Sequence, residues 1–489
     1  MFQGTGSDVG KSIVVAGICR ALARKGLRVR PFKPQNMSNN AAITVDGGEI
    51  GRAQALQARA CGTEPTVEMN PVLLKPESDR GSQVVVRGRV RATVQAEEYL
   101  EYRKTLMPDV LESFQSLCDE ADIVVVEGAG SISEVNLRDG DIANMGFAVA
   151  ADVPVVLLAD LDRGGALASI VGSHALIPDR ERKLLHGYIM NKFRGAYKVL
   201  EPAIDIIREH TGLPCYGVLR WFPQAARLPA EDSQALTRRG EGDAKGGRRI
   251  KIYVLGLSRI ANFDDFDPLA AEPDVDLTFV KPGSAIPGDA DLVIVPGTKS
   301  TIGDLDFLRQ QGWDIDILAH LRRGGKIAGI CGGYQILGRK ISDPLALEND
   351  TPTAADGLGL LNVETVLEPE KMLRRFTARN DEGIEISGYE IHMGRTTGPD
   401  TKTPMLELDG VPEGAFSPSK QVCGCYIHGL FTSDAFRRKF LAAFRDGSGI
   451  GGESLDYNAV VDQTLDLLAD HVEKFVDMHS LTHIAGLDL

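Results

Sequence analysis

Gly4-Thr5-Gly6-Ser7-Asp8-Val9-Gly10-Lys11-Ser12, close to the start of the chain, decides the fold of its first half. A glycine-rich loop of this kind surrounds phosphate groups with backbone N–H donors and opens a helix whose positive end favours an anion. We assign Gly6 and Gly10 to ATP binding. Lys11 is expected to reach the β- and γ-phosphates, and the Ser12 hydroxyl is expected to bind Mg²⁺.

The residues on both sides of this loop fit a P-loop domain. Only Met1-Phe2-Gln3 precede it, so the first strand is expected to be unusually short or to begin upstream of the given start. The residues after it predict a helix, with Val14, Ile18 and Leu22 on one face and Gly26 placed to end it. A strand, a phosphate loop and a helix in this order indicate an α/β domain.

Two acidic residues are candidates to complete the metal site. Glu127 ends the apolar run 123–127 before a glycine turn, and parallel sheets place ligand groups at such strand ends. Asp46 lies in a turn. A helix cap or surface acid for Glu127 and a plain turn residue for Asp46 are the alternatives. Lys33, at the end of the second strand, would neutralise phosphate charge, and Asn191 would lie beside the adenine.

Apolar runs alternate with helical stretches in both halves of the chain, as parallel α/β sheets require. A polar, glycine-rich stretch at 238–249 is the predicted linker. The predicted fold class is therefore α/β, with two open parallel-sheet domains at 1–237 and 250–447. Strands are predicted at 29–33, 123–127, 153–159 and 185–191 in the first domain and at 250–256, 275–280, 292–296 and 326–330 in the second.

The tail at 448–489 is predicted to contain one amphipathic helix that runs from Tyr457 to Met478. Its apolar residues recur at alternating steps of four and three, and we expect this stripe to pack on the protein rather than on a partner. The stripe comprises Val461, Leu465, Leu468, Val472 and Phe475.

Composition narrows the classes of function. Of 489 residues, 43% are hydrophobic and 25% are charged, and the formal net charge of −14 argues against nucleic-acid or membrane-surface partners. No apolar run approaches the ~20 residues of a membrane helix, and the first residues do not resemble a signal peptide. Seven scattered cysteines fit reduced thiols rather than disulfides. We therefore expect a cytoplasmic protein that acts on small molecules.

A second chemical motif is Gly329-Ile330-Cys331-Gly332-Gly333, which follows a predicted strand. A nucleophile flanked by glycines on a sharp strand-to-helix turn has the geometry of the G-x-S-x-G elbow, with Cys in place of Ser. The glycines leave room at the strained turn, and the start of the following helix favours the reactive thiolate. Oxyanion donors are expected from Gly332 and, after another strand, from Gly297 and Thr298.

The general base for this cysteine is sought among nine histidines. His428 ends a short apolar strand near the end of the domain and is followed by Gly429, which is the placement expected of a catalytic side chain. His392, in Tyr389-Glu390-Ile391-His392, is the rival. We prefer His428 and predict that Cys331 and His428 form a nucleophile–base pair.

With these motifs in this order, the chain resembles the cobyric acid synthases, the glutamine-dependent amidotransferases of cobalamin biosynthesis. Its first half is similar to dethiobiotin synthetase, in which the P-loop Ser or Thr, a turn Asp and a strand-end Glu hold Mg²⁺. That likeness implies the same roles for Ser12, Asp46 and Glu127. The second half resembles class I glutamine amidotransferases. The most specific stretches are Lys33-Pro34-Gln35-Asn36-Met37-Ser38-Asn39-Asn40, Gly51-Arg52-Ala53-Gln54-Ala55, Met69-Asn70-Pro71-Val72-Leu73-Leu74-Lys75-Pro76, Asp141-Ile142-Ala143-Asn144-Met145-Gly146 and Asp162-Arg163-Gly164-Gly165.

The resemblance implies a reaction and its substrates. ATP, Mg²⁺ and glutamine would be used to amidate the b, d, e and g side-chain carboxylates of adenosylcobyrinic acid a,c-diamide. Lys75, Arg80 and Arg87 are candidates to contact those carboxylates. Class I enzymes carry the pattern His-x-Glu, whereas Leu430 stands two residues after His428. The third member of the triad is therefore unassigned, and a Cys–His dyad is an alternative.

Two other functions remain open at this point. The sister enzyme, cobyrinic acid a,c-diamide synthase, would use the same two domains, although the stretch at 33–40 belongs to the cobyric acid pattern. A P-loop ATPase with a non-hydrolytic regulatory domain belongs to a different class. Such a domain has no need of a strained cysteine turn, so the intact motif around Cys331 argues against it.

Overall fold

The computed structural model describes residues 1–77, 81–230, 249–348, 351–445 and 455–487. The chain forms two compact units, each discontinuous in sequence. Unit 1 comprises Met1–Ser38, Thr44–Pro229 and Val461–Leu489, and unit 2 comprises Asn39–Ile43 and Ala230–Val460. The predicted linker, apart from Arg249, lies outside the described residues, and the predicted domain boundaries stay a prediction.

A parallel sheet forms the centre of unit 1. Strand β2 pairs with β9, strands β1, β10, β11 and β12 pair in that order, and a parallel bridge between Phe2 and Glu127 places β9 beside β1. The strands before residue 231 are β1 (Phe2–Gly4), β2 (Val29–Phe32), β3 (Gln35–Met37), β4 (Ala41–Ile43), β5 (Glu49–Gly51), β6 (Val72–Pro76), β7 (Gly81–Val86), β8 (Arg89–Gln95), β9 (Ile123–Val126), β10 (Val155–Asp160), β11 (Leu185–Phe193) and β12 (Cys215–Arg220).

The six strands of this central sheet, β1, β2 and β9 to β12, all run in one direction. Their carboxyl ends therefore share one edge of the sheet, where open α/β folds bind ligands. The phosphate loop follows β1 at that edge, and Glu127 follows β9. The first strand is as short as the sequence predicts, yet it is buried and pairs with β10 over all three residues. A smaller sheet of β3, β6, β7 and β8, which the sequence analysis did not predict, completes the unit.

Unit 2 contains a second open sheet, in the order β14, β13, β15, β16, β24, β23, in which only β23 is antiparallel. The four predicted strands are confirmed. A long antiparallel hairpin of β19 and β20 was not predicted. The strands after residue 248 are β13 (Ile250–Leu255), β14 (Val275–Val280), β15 (Leu292–Val295), β16 (Lys326–Ile330), β17 (Lys340–Asp343), β18 (Thr353–Asp356), β19 (Glu364–Arg379), β20 (Glu385–Thr397), β21 (Leu406–Leu408), β22 (Val411–Glu413), β23 (Ala415–Phe416) and β24 (Val422–Cys425).

Helices connect the strands of both sheets. The helix predicted after the phosphate loop is confirmed, and it ends before Gly26, whose φ of +88° is in the left-handed region that favours glycine. The helices are α1 (Lys11–Arg24), α2 (Arg52–Ala60), α3 (Ala96–Tyr102), α4 (Met107–Glu120), α5 (Met145–Ala150), α6 (Ala166–Leu176), α7 (Asp179–Arg182), α8 (Tyr197–Thr211), α9 (Asp267–Ala270), α10 (Thr301–Gln310), α11 (Trp313–Arg322), α12 (Gly332–Leu337), α13 (Asp434–Ala442), α14 (Tyr457–Phe475) and α15 (Met478–Ile484).

The amphipathic helix predicted in the tail is α14, and its residues from Val461 onward belong to unit 1. Val461, Leu465, Leu468 and Val472 are buried, so the prediction that the apolar stripe packs on the protein is confirmed. Three aspartates of the helix pair with arginines of α1 and α2. The pairs are Arg59–Asp462 at 2.9 Å, Arg20–Asp466 at 2.8 Å and Arg24–Asp470 at 2.7 Å.

Close packing of α14 on the phosphate-loop helix α1 requires glycine at position 17. A Cβ at Gly17 would lie 2.7 Å from Cγ2 of Val472 and 3.0 Å from Cγ of Leu468. Gly172 in α6 has no atom within 4 Å of its Cβ position. We expect Gly17→Ala to lower the free energy of unfolding relative to Gly172→Ala by about 1–3 kcal/mol, the usual effect of overpacking. Thermal unfolding of the two variants checks this, and equal stability would contradict the packing.

Candidate phosphate and glutaminase sites

The loop after β1 folds as a phosphate-binding loop. Gly10 caps α1 with a φ of +94°, and a Cβ there would lie 2.5 Å from Nδ2 of Asn191, so both conformation and space require glycine. The Lys11 ammonium lies inside the loop, where it donates to the carbonyl oxygens of Gly6 at 3.3 Å and Gly130 at 2.8 Å. The backbone N–H groups at the start of α1 and the Lys11 charge together suit a polyphosphate.

Glu127 is the centre of a buried polar cluster beside this loop. Its carboxylate is fully buried and accepts hydrogen bonds from Ser12 Oγ at 2.8 Å, Lys33 Nζ at 2.9 Å and Gln57 Nε2 at 2.6 Å. The structure therefore brings together Ser12, Lys33 and Glu127, which the sequence analysis selected separately. Hydroxyl and carboxylate oxygens are the ligands with which proteins hold Mg²⁺ beside substrate phosphates, so Ser12 and Glu127 fit that ion.

The third predicted metal ligand, Asp46, makes no contact with this cluster within the described residues. Asp46 is exposed in a turn, and its Oδ2 accepts a hydrogen bond from Val67 N at 3.2 Å. Within the described residues no contact joins it to Ser12 or Glu127, and no group of three or more His, Cys, Asp or Glu side chains is placed to hold a metal ion. Its contacts are those of the plain turn residue that was the alternative.

Asn191 supports the phosphate loop directly. Its Nδ2 donates to the carbonyl oxygen of Val9 at 2.9 Å. The next residue, Lys192, reaches the same loop by donating to the Asp8 carbonyl at 2.5 Å and to Asp160 at 2.7 Å. These contacts place the carboxyl end of β11 against the loop, whereas contact with an adenine stays a prediction.

The basic residues proposed to contact substrate carboxylates already have acidic partners. Lys75 pairs with Glu49 at 2.8 Å, and both side chains are buried. Arg87 pairs with Glu68 at 2.7 Å and with Glu112 at 2.9 Å. Arg80 lies outside the described residues. The contacts of Lys75 and Arg87 therefore do not favour a role in substrate binding.

Cys331 lies on a strained turn between β16 and α12, with a φ of +53° and a ψ of −112°. The predicted need for flanking glycines is met: a Cβ at Gly333 would lie 1.9 Å from the carbonyl oxygen of Val295, and a Cβ at Gly332 would lie 2.6 Å from Cγ2 of Thr298. A non-glycine residue with positive φ costs energy and typically occurs at functional sites. The turn thus has the geometry of a nucleophile elbow.

His428 follows β24 and lies beside Cys331. A Cβ at Gly297 would touch both, at 3.2 Å from Cε1 of His428 and 3.7 Å from Cβ of Cys331. Gly332 and Thr298 lie close to each other, since the Cβ position of Gly332 is 3.2 Å from the Thr298 nitrogen. The structure therefore brings the predicted nucleophile, base and oxyanion residues into one site.

A carboxylate that the sequence analysis did not select, that of Asp265, lies against His428. Its Oδ2 lies 2.6 Å from Nδ1 of His428, and its Oδ1 accepts from Gly429 N at 2.8 Å. Asp265 lies in a short 3₁₀ turn after β13, far from the His-x-Glu position, and it is buried. The only sequence signal is a pair of aspartates, Asp264 and Asp265, that follows the first strand of the second half.

The environment of His428 favours its protonated form. Burial by itself would lower the pKa of the imidazole, but the negative charges of Asp265 and Cys331 and hydrogen bonds to both raise that pKa to about 10. A thiolate–imidazolium pair is the form in which cysteine is nucleophilic and histidine can protonate a leaving group. The rival, His392, has its pKa lowered to about 4 by burial and by the charge of His428.

Asn262 contacts the other nitrogen of His428. Its Nδ2 lies 3.4 Å from His428 Nε2, and its Oδ1 accepts a hydrogen bond from Ala41 N at 3.0 Å. Residues 39–43 come from the first half of the sequence but belong to unit 2. The stretch at 33–40 that carries the family resemblance therefore runs directly into a segment held beside the base.

Both halves of the chain match known families. Residues 1–235 match the CobQ/CobB/MinD/ParA nucleotide binding domain, and residues 251–436 match the CobB/CobQ-like glutamine amidotransferase domain. Three relatives named cobyric acid synthase each align with 99% of this chain and cover 99% of their own length. They are 56% identical in Cereibacter sphaeroides, 55% in Bradyrhizobium diazoefficiens and 53% in Rhizobium meliloti.

A nucleotide-binding domain joined to a glutamine amidotransferase domain defines a glutamine-dependent ligase that uses ATP. At this identity over nearly its full length, the chain belongs to the cobyric acid synthase family. It is therefore an amide-forming enzyme of cobalamin biosynthesis that acts on small molecules. Among the residues that the structure describes, no helix is both long and apolar enough to cross a membrane.

Proposed function

We propose that this protein amidates the b, d, e and g carboxylates of adenosylcobyrinic acid a,c-diamide, with ATP and Mg²⁺ and with ammonia released from glutamine. The observation that carries the proposal is the Cys331–His428–Asp265 arrangement on a strained turn. It occurs in a chain whose other unit holds a phosphate-binding loop. A purely regulatory domain has no use for a nucleophile, a charged base and an orienting acid in contact.

The glutaminase half-reaction follows from these positions. The Cys331 thiolate attacks the carboxamide carbon of glutamine, and the developing oxyanion is stabilised by N–H groups of Gly332 and Thr298. His428 then protonates the leaving nitrogen, which departs as ammonia. Water hydrolyses the thioester with His428 as the base, which releases glutamate and restores the thiol. Asp265 holds His428 in the required orientation throughout.

The synthetase half-reaction uses the phosphate site. A substrate carboxylate attacks the γ-phosphate of ATP to give an acyl phosphate and ADP, and Lys11 stabilises the charge that develops on the transferred group. Mg²⁺ held by Ser12 and Glu127 would neutralise phosphate charge there. Ammonia then attacks the acyl carbon and displaces phosphate, which forms the amide. Lys33 balances the charge of Glu127 through their ion pair.

Product analysis tests this assignment. Incubation with the a,c-diamide, ATP and glutamine is expected to yield a product in which the b, d, e and g carboxylates have each become an amide, as read by mass spectrometry. An unchanged a,c-diamide, with amidation at a and c when cobyrinic acid is supplied in a parallel incubation, would indicate the sister a,c-diamide synthase. ATP hydrolysis without glutaminase activity or amidation would indicate an ATPase with a regulatory domain.

Asp265→Asn tests the orienting acid. Loss of the charge that raises the His428 pKa is expected to lower glutaminase kcat by about 10²–10⁴-fold, as in other triads. The imidazolium must be present to protonate the leaving nitrogen of glutamine, and it is lost as pH rises through its pKa. The basic limb of the pH–rate profile, near pH 10 in the unmodified protein, is therefore expected to move to lower pH. Asp264→Asn, in the same turn, is the control and should leave that limb in place. An unmoved limb in Asp265→Asn would refute the role.

A further inference from the structure

One strand, β20, passes beside both Cys331 and His428. The ring of Tyr389 stacks on His428 with centroids 5.1 Å apart, and the two residues exchange backbone hydrogen bonds of 3.1 and 2.9 Å. Two residues further on, the carbonyl oxygen of Ile391 lies 3.6 Å from Sγ of Cys331. The strand therefore touches both the nucleophile and the base, and the next side chain along it is His392.

The surroundings of His392 differ from those of a residue that serves only packing. Its ring stacks on Tyr426 with centroids 3.7 Å apart and planes 16° from parallel. Its Nδ1 is buried, and within the part of the chain that the structure describes it has no hydrogen-bond partner. Burial and the charge of His428 lower the pKa of the ring to about 4 although a hydrogen bond to the Gly394 backbone raises it, so the ring is neutral at physiological pH. A buried polar atom without a partner costs stability, so each one calls for an explanation such as a ligand, an ion or a water molecule.

Resting on the function proposed above, we propose that His392 is a substrate-positioning residue whose Nδ1 hydrogen-bonds the carboxamide group of glutamine. A carboxamide offers both an N–H donor and a carbonyl acceptor, so a neutral imidazole can pair with it in either tautomer. The reacting carboxamide must lie between Sγ of Cys331 and the imidazole of His428. His392 is close enough to His428 to feel its charge, and it directly follows the residue whose carbonyl contacts Sγ.

The stacking partner is fixed independently of His392. The Tyr426 hydroxyl bonds to Gln335 Nε2 at 3.1 Å and to Thr396 Oγ1 at 2.6 Å, so the ring on which His392 rests is held in place. Phenylalanine at position 392 would keep an aromatic face against Tyr426. The stacking thus accounts for an aromatic ring at this position but not for the polar atom Nδ1. Substitution can separate the stacking of the ring from hydrogen bonding by Nδ1.

The test compares His392→Phe with His392→Asn, because phenylalanine keeps the stack and loses the polar atom, whereas the asparagine amide can occupy the Nδ1 position. Steady-state glutaminase kinetics are expected to show KM for glutamine raised roughly ten- to a hundredfold in His392→Phe, with a smaller change in kcat. His392→Asn should recover most of that loss. Ammonia-driven amidation of the a,c-diamide should equal that of the unmodified protein in both variants.

Each other outcome overturns the inference. An unchanged KM in His392→Phe means that Nδ1 does not contact glutamine, and loss in both variants alike means that the ring is structural. A fall in kcat as large as that of Cys331→Ala would make His392 the base instead. Failure of the unmodified protein to amidate the a,c-diamide with ammonia would refute the proposed function itself, which distinguishes the two failures.

Discussion

Replacing Cys331 with alanine is expected to abolish glutamine-driven amidation and to leave ammonia-driven amidation unchanged. The thiolate sulfur of Cys331 forms the thioester, so glutaminase activity should fall by roughly 10³-fold or more without it. Alanine retains the Cβ and adds no bulk to the crowded turn at Gly332 and Gly333. The measurement is product formation with glutamine and then with ammonium salt as the nitrogen source.

Cys423→Ala is the matched control for this experiment. Cys423 lies in the neighbouring strand β24, and burial raises the pKa of its thiol to about 12, so it stays protonated and serves packing. Its replacement should cost stability without changing the ratio of the glutamine-driven to the ammonia-driven rate. If Cys331→Ala retained glutamine-driven amidation, the glutaminase assignment would be wrong.

Lys11→Ala is expected to abolish amidation with both nitrogen sources, unlike Cys331→Ala. The Lys11 ammonium occupies the centre of the phosphate loop, bonded to Gly6 and Gly130, where it would meet the charge that develops on the transferred phosphoryl group. Loss of one such charge-stabilising contact costs about 10²–10³-fold in kcat. The ammonia-driven rate at saturating ATP measures this step without any contribution from the glutaminase site.

Lys25→Ala controls for loss of a positive charge near the same helix. Lys25 is exposed at the carboxyl end of α1, away from the loop that opens it. Its substitution should leave both rates within about twofold, since exposed charges contribute little. Equal effects of the two lysine substitutions would mean that general electrostatics, rather than the phosphate loop, controls the reaction.

The strands of both parallel sheets were predictable because each is a short apolar run between glycine or polar turns. Residues 275–280 and 326–330 form strands with the predicted bounds, and the other six runs differ at their ends by one to two residues. The hairpin of β19 and β20 escaped prediction because its side chains alternate between buried and exposed among many charges. It lacks the continuous apolar run of a doubly covered strand.

Asp265 and Gln57 contact predicted site residues but were not themselves predicted from the sequence. Each is an ordinary polar residue in a helical segment, and neither belongs to a motif that fixes its role. Asp265 contacts His428 across 163 residues of sequence, and Gln57 donates to Glu127 across 70. Spacing along the chain carries no information about such pairs. Asp46 was proposed as a metal ligand both from its turn and from the resemblance, and its contact with Val67 N leaves that role a prediction.

The sequence by itself determined the two chemistries, because a phosphate loop and a nucleophile elbow depend on backbone conformations that only local runs of glycine permit. Only the tertiary structure decided which acid orients the base, which segment of the first half joins the second unit, and which helix packs on α1. Those choices depend on burial and contact between residues far apart in the chain, and a buried charge is stable only where the fold brings its partner.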